Sequence, residues 1–336
     1  MFRRILAAVA LLALAAALLV AAWPQLLGLE RQSVIAQVVS LRGLAVAIAL
    51  LLVVTATLLA LVYRGIRRFT ASVALLILVF CAVSVAVLAT RGFGSPAIQT
   101  TAPGDVIVLS WNTLGDAPGA EAIAELAQEV EADVVVLPET SADTAAIAAA
   151  ILTGTGRPMQ QLSISLDQVS KARTTSLLVS TELGEYRRDD SAGTTETLPS
   201  LLAVPVDGTG PTIVAAHPVA PVPGEMAAWR QGLRWLAERC AGRNIIVAGD
   251  LNSTLDHYAG LDEDGGDLGR CHDAARATGN AAVGTWPTVF PQLLGAPIDH
   301  VLATSDWEIV GFRVIGSRDG DGSDHRPVVA QLRPAS

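Results

Sequence analysis

The chain has 336 residues, 51% of them hydrophobic and 16% charged, where an ordinary soluble domain is about 25% charged. Residues 1–90 carry seven Arg, no Lys and one acid, Glu30, a net +6. Of 23 basic and 32 acidic residues in all, 16 and 31 therefore remain for residues 91–336, a net −15. The split excludes a disordered chain, a collagen-like chain and a disulfide-dense miniprotein, and divides the protein into two regions with different surroundings.

Three stretches without a charge come first: 5–23, 43–63 and 69–90. Each has about the 20 apolar residues needed to cross a hydrocarbon core of about 30 Å. Residues 1–90 are thus expected to form a membrane anchor of three transmembrane helices, in contact with a lipid bilayer. A signal peptide followed by buried helices is the alternative, but the first stretch is long for a signal and two more follow. Arg3 and Arg4 precede the first span, and Arg64, Arg67 and Arg68 fill the turn between the second and third. Arg31 and Arg42, offset by Glu30, lie in the first loop. The positive-inside bias places the N-terminus and the 64–68 turn in the cytoplasm. After three spans the C-terminal domain is then extracytoplasmic. The spans hold no Asp, Glu, Lys or His, which argues against a transporter.

Residues 91–104 (RGFGSPAIQTTAPG) read as a linker. The β-branched run 105–111 (DVIVLSW) is suited to a buried strand, and 118–131 has helical apolar spacing. Strand 133–137 (DVVVL) and helix 141–152, with Ser141 as N-cap, follow. Further strands are expected at 176–180, 201–206, 212–216, 244–248, 298–303, 308–314 and 327–332, with a helix over 225–240. Many strands and few helices predict an α+β fold over 105–336: a two-sheet β-sandwich with outer helices, in four layers α/β/β/α.

Polar residues recur at the edges of the apolar runs. DVIVLSW ends in Asn112, DVVVLP in Glu139, TIVAA in His217 and NIIVAG in Asp250, then Asn252. Asp299 opens one strand, and Asp324 and His325 precede the last. Singly, each has a plain structural reading as a turn cap, a solvated acid or a packed imidazole. Together they describe a site held rigidly by several strand edges.

The segments LSWNTLG, ADVVVLPET, AAHPVAP, IIVAGDLNST, PIDHVL and GSDHRPV, in this order, resemble the endonuclease/exonuclease/phosphatase superfamily. Pancreatic-type deoxyribonuclease, abasic-site endonucleases, inositol-polyphosphate phosphatases and sphingomyelinases share that fold. The resemblance covers roughly residues 105–334, and the three leading spans are similar to bacterial membrane-anchored members. It implies metal binding by Asn112 and Glu139, with Asp324 completing or supporting the site. It implies that His325 contacts the scissile phosphate, oriented by Asp299, and that Asp250 positions or activates the attacking water. Asn252 would hold the phosphate, with His217 near a leaving or non-bridging oxygen. Pro138 stands where the family often has Gln.

The implied chemistry is physically coherent. Phosphoryl transfer needs neutralised equatorial oxygens, an aligned nucleophile and a stabilised leaving oxygen. Oxygen ligands suit Mg²⁺ or Mn²⁺ better than Zn²⁺. The expected function is a divalent-metal-dependent phosphoesterase, foremost a phosphodiesterase. The alternative is a catalytically inactive surface binding module of the same fold. Nucleic acid, a phospholipid head group and a small phosphoester all fit as substrate, and no obligate protein partner is inferred. Aromatics at 4% and a net charge of −15 beyond residue 90 weigh against base stacking and non-specific duplex binding. Of three cysteines, Cys81 lies in the third span. In an oxidising compartment Cys240 and Cys271 are expected to form a disulfide, the alternative being two buried free thiols.

Overall fold

The computed structural model describes residues 1–94, 98–167 and 170–335. Part of the expected linker (95–97) and residues 168–169 and 336 of the expected catalytic domain lie outside the described residues.

The N-terminal region comprises α1 (Phe2–Ala22), the short α2 (Ile35–Ser40), α3 (Arg42–Val62) and α4 (Arg67–Arg91). The three long helices reach a mean hydropathy of 2.9 and are long and apolar enough to cross a membrane. Ala22, Val46, Ala49, Ile77, Phe80 and Cys81 pack between them, while Leu12, Leu51, Leu58 and Leu75 face outward. Small residues at the crossings allow close helix approach.

The second region runs β1 (Val106–Ser110), α5 (Gly119–Glu129), β2 (Val134–Pro138), α6 (Ala142–Gly154), β3 (Met159–Ser165), β4 (Thr174–Ser180), β5 (Tyr186–Arg188), β6 (Leu201–Pro205), β7 (Thr212–Ala216), α7 (Met226–Arg239), β8 (Ile245–Asp250), β9 (His272–Asp273), α8 (Ala274–Ala277), β10 (Asp299–Ala303), β11 (Trp307–Val314) and β12 (Val328–Pro334). One sheet has the order β11-β12-β1-β2-β4-β3, the other β5-β6-β7-β8-β10-β9. This is the expected two-sheet sandwich.

Strand alternation explains the layers, since successive side chains point to opposite faces. Val106 and Val108 join Val134, Val136, Ile246 and Ala248 in the core between the sheets. Ile107 and Leu109 face the other way, against Ile123 and Leu126 of α5. On the far side, Val214 and Val247 meet Trp229, Leu233 and Leu236 of α7. Both faces of the central strands are covered, so their sequences are continuous apolar runs.

The N-terminal helices and the sandwich are docked closely. Arg42 and Arg91 both pair with the buried Asp256, at 2.6 and 2.8 Å. Arg31 donates to the carbonyls of His257 and Ala259 at 2.6 and 2.7 Å. A Cβ on Gly43 would sit 1.8 Å from the Leu293 carbonyl oxygen, so only glycine permits this approach of α3. The first residues of the expected linker are fixed as well. The N–H groups of Ala281 and Ala282 donate to the carbonyls of Arg91 and Gly92, and that of Gly94 to Gly279.

Candidate active site

The polar strand ends meet because of the topology. The crossover units β1-α5-β2 and β7-α7-β8 each pair two parallel strands. Their C-terminal ends carry Asn112, Glu139, His217 and Asp250 to one rim, the usual place for a site in such units. β10 and β12 run antiparallel to β8 and β1, so their starts lie at the same rim. Asp299 is in register with Asp250, and Val328, just past Asp324 and His325, with Ser110.

The chain is bent sharply here. Leu114, Glu139 and Asn252 have φ of 48°, 54° and 46°, in the left-handed region that non-glycine residues occupy at a cost. Surrounding bonds hold the bends. The Leu114 N–H donates to Asn112 Oδ1 at 3.0 Å, and the Asn252 N–H to Asp250 Oδ1 at 2.9 Å.

His325 and Asp299 form a buried pair, Nδ1 to Oδ2 at 2.9 Å. His325 Nε2 is left 3.7 Å from Asp250 Oδ2 and 4.0 Å from Asp324 Oδ1. Burial opposes protonation of His325, but the carboxylates of Asp299, Asp250 and Asp324 outweigh it and push its pKa up to about 10. Burial also pushes the Asp250 carboxyl up, to about 7, against the pull of the His325 cation. His217 goes the other way, down to about 3, through burial and then repulsion from His325. The site thus holds one charged and one neutral imidazole.

On the other flank, Asn112 Nδ2 donates to Glu139 Oε1 at 3.1 Å and to Asp250 Oδ2 at 3.0 Å. Burial raises the Glu139 pKa, with Asp324 and Asp299 adding to the rise against Asn112 and His325. His217 Nε2 is 3.7 Å from Glu139 Oε1. Asn252 Nδ2 donates to the Pro218 carbonyl at 3.0 Å and to Asp250 Oδ2 at 3.2 Å. Asp324 Oδ1 and Asp299 Oδ1 are buried without a hydrogen-bond partner among the described residues. Asp250, Asp299 and His325 offer ligand atoms within 4.8 Å of one another, a cluster that could hold a metal ion.

Several supporting residues carried no sequence signal of their own. The Trp286 indole N–H donates to Asp324 Oδ2 at 2.8 Å, and the Trp111 indole to the His325 carbonyl at 3.1 Å. Ser323 Oγ ties the Asn112 carbonyl to the start of the SDHR turn at 2.6 Å. A second buried pair, His300 Nδ1 with Asp273 Oδ2 at 2.6 Å, lies behind the site, its Nε2 on the Ser253 carbonyl. The one signal available for the two Trp is general: a buried indole N–H usually finds a hydrogen-bond partner. Cys240 and Cys271, at the back of α7, are joined with Cα atoms 5.5 Å apart.

The family model described as "Endonuclease/Exonuclease/phosphatase family" matches residues 109–325, which contain every residue discussed above as catalytic or metal-binding. No curated protein sequence matches the chain. Among solved structures, an endonuclease/exonuclease/phosphatase from Beutenbergia cavernae DSM 12333 superposes with a TM-score of 0.50 at 20% identity, covering 69% of this chain and 72% of that one. D. rerio TDP2, solved in complex with a single-strand DNA product, does so with a TM-score of 0.50 at 16% identity, covering 68% and 99%. At such identities the superpositions speak to the fold, and the family match carries the assignment: the chain belongs to the endonuclease/exonuclease/phosphatase family.

Proposed function

We propose that the protein is a membrane-anchored, divalent-metal-dependent phosphoesterase, most simply a phosphodiesterase, that hydrolyses its substrate by in-line attack of water. The observation that carries this reading is the convergence of Asp250, Asp299 and His325 with Asn112, Glu139 and Asp324 at one rim of both sheets.

Glu139, Asp324 and Asn112 are the residues we assign to the metal. The unpartnered Asp324 Oδ1 and the hard oxygen donors fit Mg²⁺ or Mn²⁺. Asn112 directs its NH₂ toward the carboxylates, so ligation through its oxygen requires the amide to turn over. A cation on Asp250, Asp299 and His325 instead would have to replace the proton on His325, whose pKa is pushed up to about 10, which favours the Glu139 flank. When bound, the ion neutralises charge on the phosphoryl oxygens.

The remaining steps belong to side chains. Asp250, with its raised pKa, accepts the proton of the attacking water. Asn252 and the neutral His217 hold phosphate oxygens. His325, kept protonated and oriented by Asp299, presents Nε2–H to the phosphoryl group. An inactive binding module would not need this set complete, and no member is missing.

The anchor supports an extracytoplasmic placement of the domain. Arg31, Arg42 and Arg91 are occupied in docking at the domain end. Arg3, Arg4, Arg64, Arg67 and Arg68 are exposed, at the helix ends away from it, where the positive-inside bias reads them as cytoplasmic.

The test is hydrolysis of bis-p-nitrophenyl phosphate by the full chain in detergent. Activity is expected with Mg²⁺ or Mn²⁺ and lost in EDTA, and His325→Ala is expected to lower it by about 10²–10⁴-fold. Turnover that ignores EDTA, or a fully active H325A, would overturn the reading.

A further inference from the structure

The catalytic cavity, about 410 Å³, is not built by the sandwich alone. Its charged floor is Glu139, Asp250, Asp324 and His325. One wall is Gln37 and Ser40 of α2 with Leu41 at the head of α3, facing Leu114, Leu198 and Val222. Among the described residues no Lys or Arg lines it. A nucleic acid places phosphates on both sides of the scissile one, and binding them calls for cationic side chains. This cavity instead passes from an anionic, metal-suited floor to an apolar mouth.

The apolar side continues toward the bilayer. Gln37, Leu41, Pro221 and Val222 also line a second cavity of about 490 Å³, which takes in Leu44, Ala45 and Ile48 along α3. From Leu41 to Ile48 is about 10 Å along a helix. Val34 and Val38 of that cavity border a third, of about 440 Å³, against Ala16, Ala17, Val20 and Ala21 of α1. Ile48, Val222 and Val34 are 52%, 46% and 69% exposed. Exposed apolar surface in a continuous run marks a binding groove.

The groove wall is fixed in place. The α2 carbonyl of Ala36 meets His257 Nε2 at 3.2 Å, the Gln37 amide donates to the Pro221 carbonyl, and Arg42 pairs with Asp256. Val34 enters α2 at φ 71°, a conformation a β-branched residue adopts only under constraint. Membrane-proximal helix, catalytic floor and transmembrane surface are thus held as one track.

We propose that the substrate is an amphiphile: a phosphoester carried on a long hydrocarbon chain, which lies along α2 and α3 while its phosphate reaches Asp250 and His325. The inference rests on the phosphoesterase reading and names its substrate class. Water-soluble esters and nucleic acids are the competing occupants.

The experiment compares two synthetic diesters with the same chromophore, hexadecyl p-nitrophenyl phosphate and ethyl p-nitrophenyl phosphate, on the full chain in mixed detergent micelles with Mn²⁺. The long ester is expected to have at least a tenfold higher kcat/KM. Micelle partitioning raises that ratio without a groove, so the deciding measurement is the same ratio in Val38→Trp, which fills the groove, and in Val222→Asp, which charges it. Each is expected to lower the long-to-short ratio by tenfold or more. A partly misfolded variant scales both rates together and leaves the ratio readable. Equal kcat/KM for the two esters, an unchanged ratio in both variants, or faster cleavage of single-stranded DNA than of the long ester would overturn the proposal while leaving the phosphoesterase reading standing. Hydrolysis of none of the three would overturn both.

Discussion

At the scale of single residues, the Asp299–His325 pair controls the charge of the site. A histidine whose pKa is raised in the folded state adds stability fully below its unfolded value of about 6.5 and loses it as pH rises through the folded value, here about 10. The imidazolium is therefore held across the neutral range. Asp299→Asn removes the carboxylate that, after the opposing effect of burial, does most to raise it. The expected outcome is a fall in kcat/KM together with a basic limb of the pH profile that moves down by more than one unit. A limb that stays in place would show that this pair does not carry the proton. The acid limb is assigned to Asp250, near 7 in the unsubstituted protein, and in this variant it loses the rise that the Asp299 charge contributes. These positions were legible in the sequence as residues at strand ends, because a carboxylate or imidazole closing an apolar run is conspicuous. Their partners were not. Trp286 and Ser323 act through an indole N–H and a hydroxyl, and nothing in their neighbourhood separates them from ordinary loop residues.

At the scale of elements, the buried strands were readable, and so was the edge strand β11, expected at 308–314, whereas the edge strands β3 and β5 and the short β9 were not. β1, β2 and β8 are apolar on both faces because helices cover one side and the opposite sheet the other. β3 (MQQLSIS) lies at a sheet edge, mostly half-buried, and its alternation is broken by Gln and Ser. β5 has only three residues, two of them exposed Arg, and β9 only two. Helix α2 hid in a loop that the arginine count treated as a connector. The link between α7 and the segment before β9 was legible only as a cysteine spacing. Cys240 and Cys271 close a loop with a sequence separation of 31, which the chain-entropy model values at about 3–4 kcal/mol. The paired Cys240→Ser and Cys271→Ser variant is expected to lose stability of that order in reversible denaturant unfolding of the domain signal. Mass spectrometry of unreduced protein from its native compartment should find no alkylatable thiol at either position. Two free thiols there would remove both the bridge and one support for the outside placement.

At the scale of the whole molecule, the arginines of the first loop link topology to function. Counted as charges, Arg31 and Arg42 blur the positive-inside bias; seen in place, they hold the sandwich against the helix ends. With those set aside, the exposed arginines lie at the other end of the bundle, and the proposed orientation places the domain outside. Protease added to intact cells is then expected to cut the exposed stretch around Thr100, Thr101 and Pro103 and sever the domain's chain from the N-terminal helices. Cutting only after lysis would reverse the orientation. Docking itself turns on Asp256. Burial disfavours its charge, but Arg91 and Arg42 outweigh this and hold its pKa far below the usual carboxylate range. A depressed carboxyl pKa contributes stability above the unfolded value of about 3.9, lost only as pH falls through the folded one, so this contact persists at any physiological pH. Its neighbour His257 is the weaker point. Buried, and held neutral down to about 4, it resists the proton it would take up in the unfolded chain below about 6.5, so docking of α2 should loosen as pH falls through that window. Asp256→Ala leaves the buried Arg42 guanidinium unpaired, a change that typically costs about 3–5 kcal/mol. If the catalytic cavity needs α2 as its wall, D256A in micelles should lose turnover of a long-chain phosphoester more steeply than that of a short one, and should expose the start of α3 to protease. Equal losses on both esters, with the α3 junction still protected, would show that the anchor only tethers the domain.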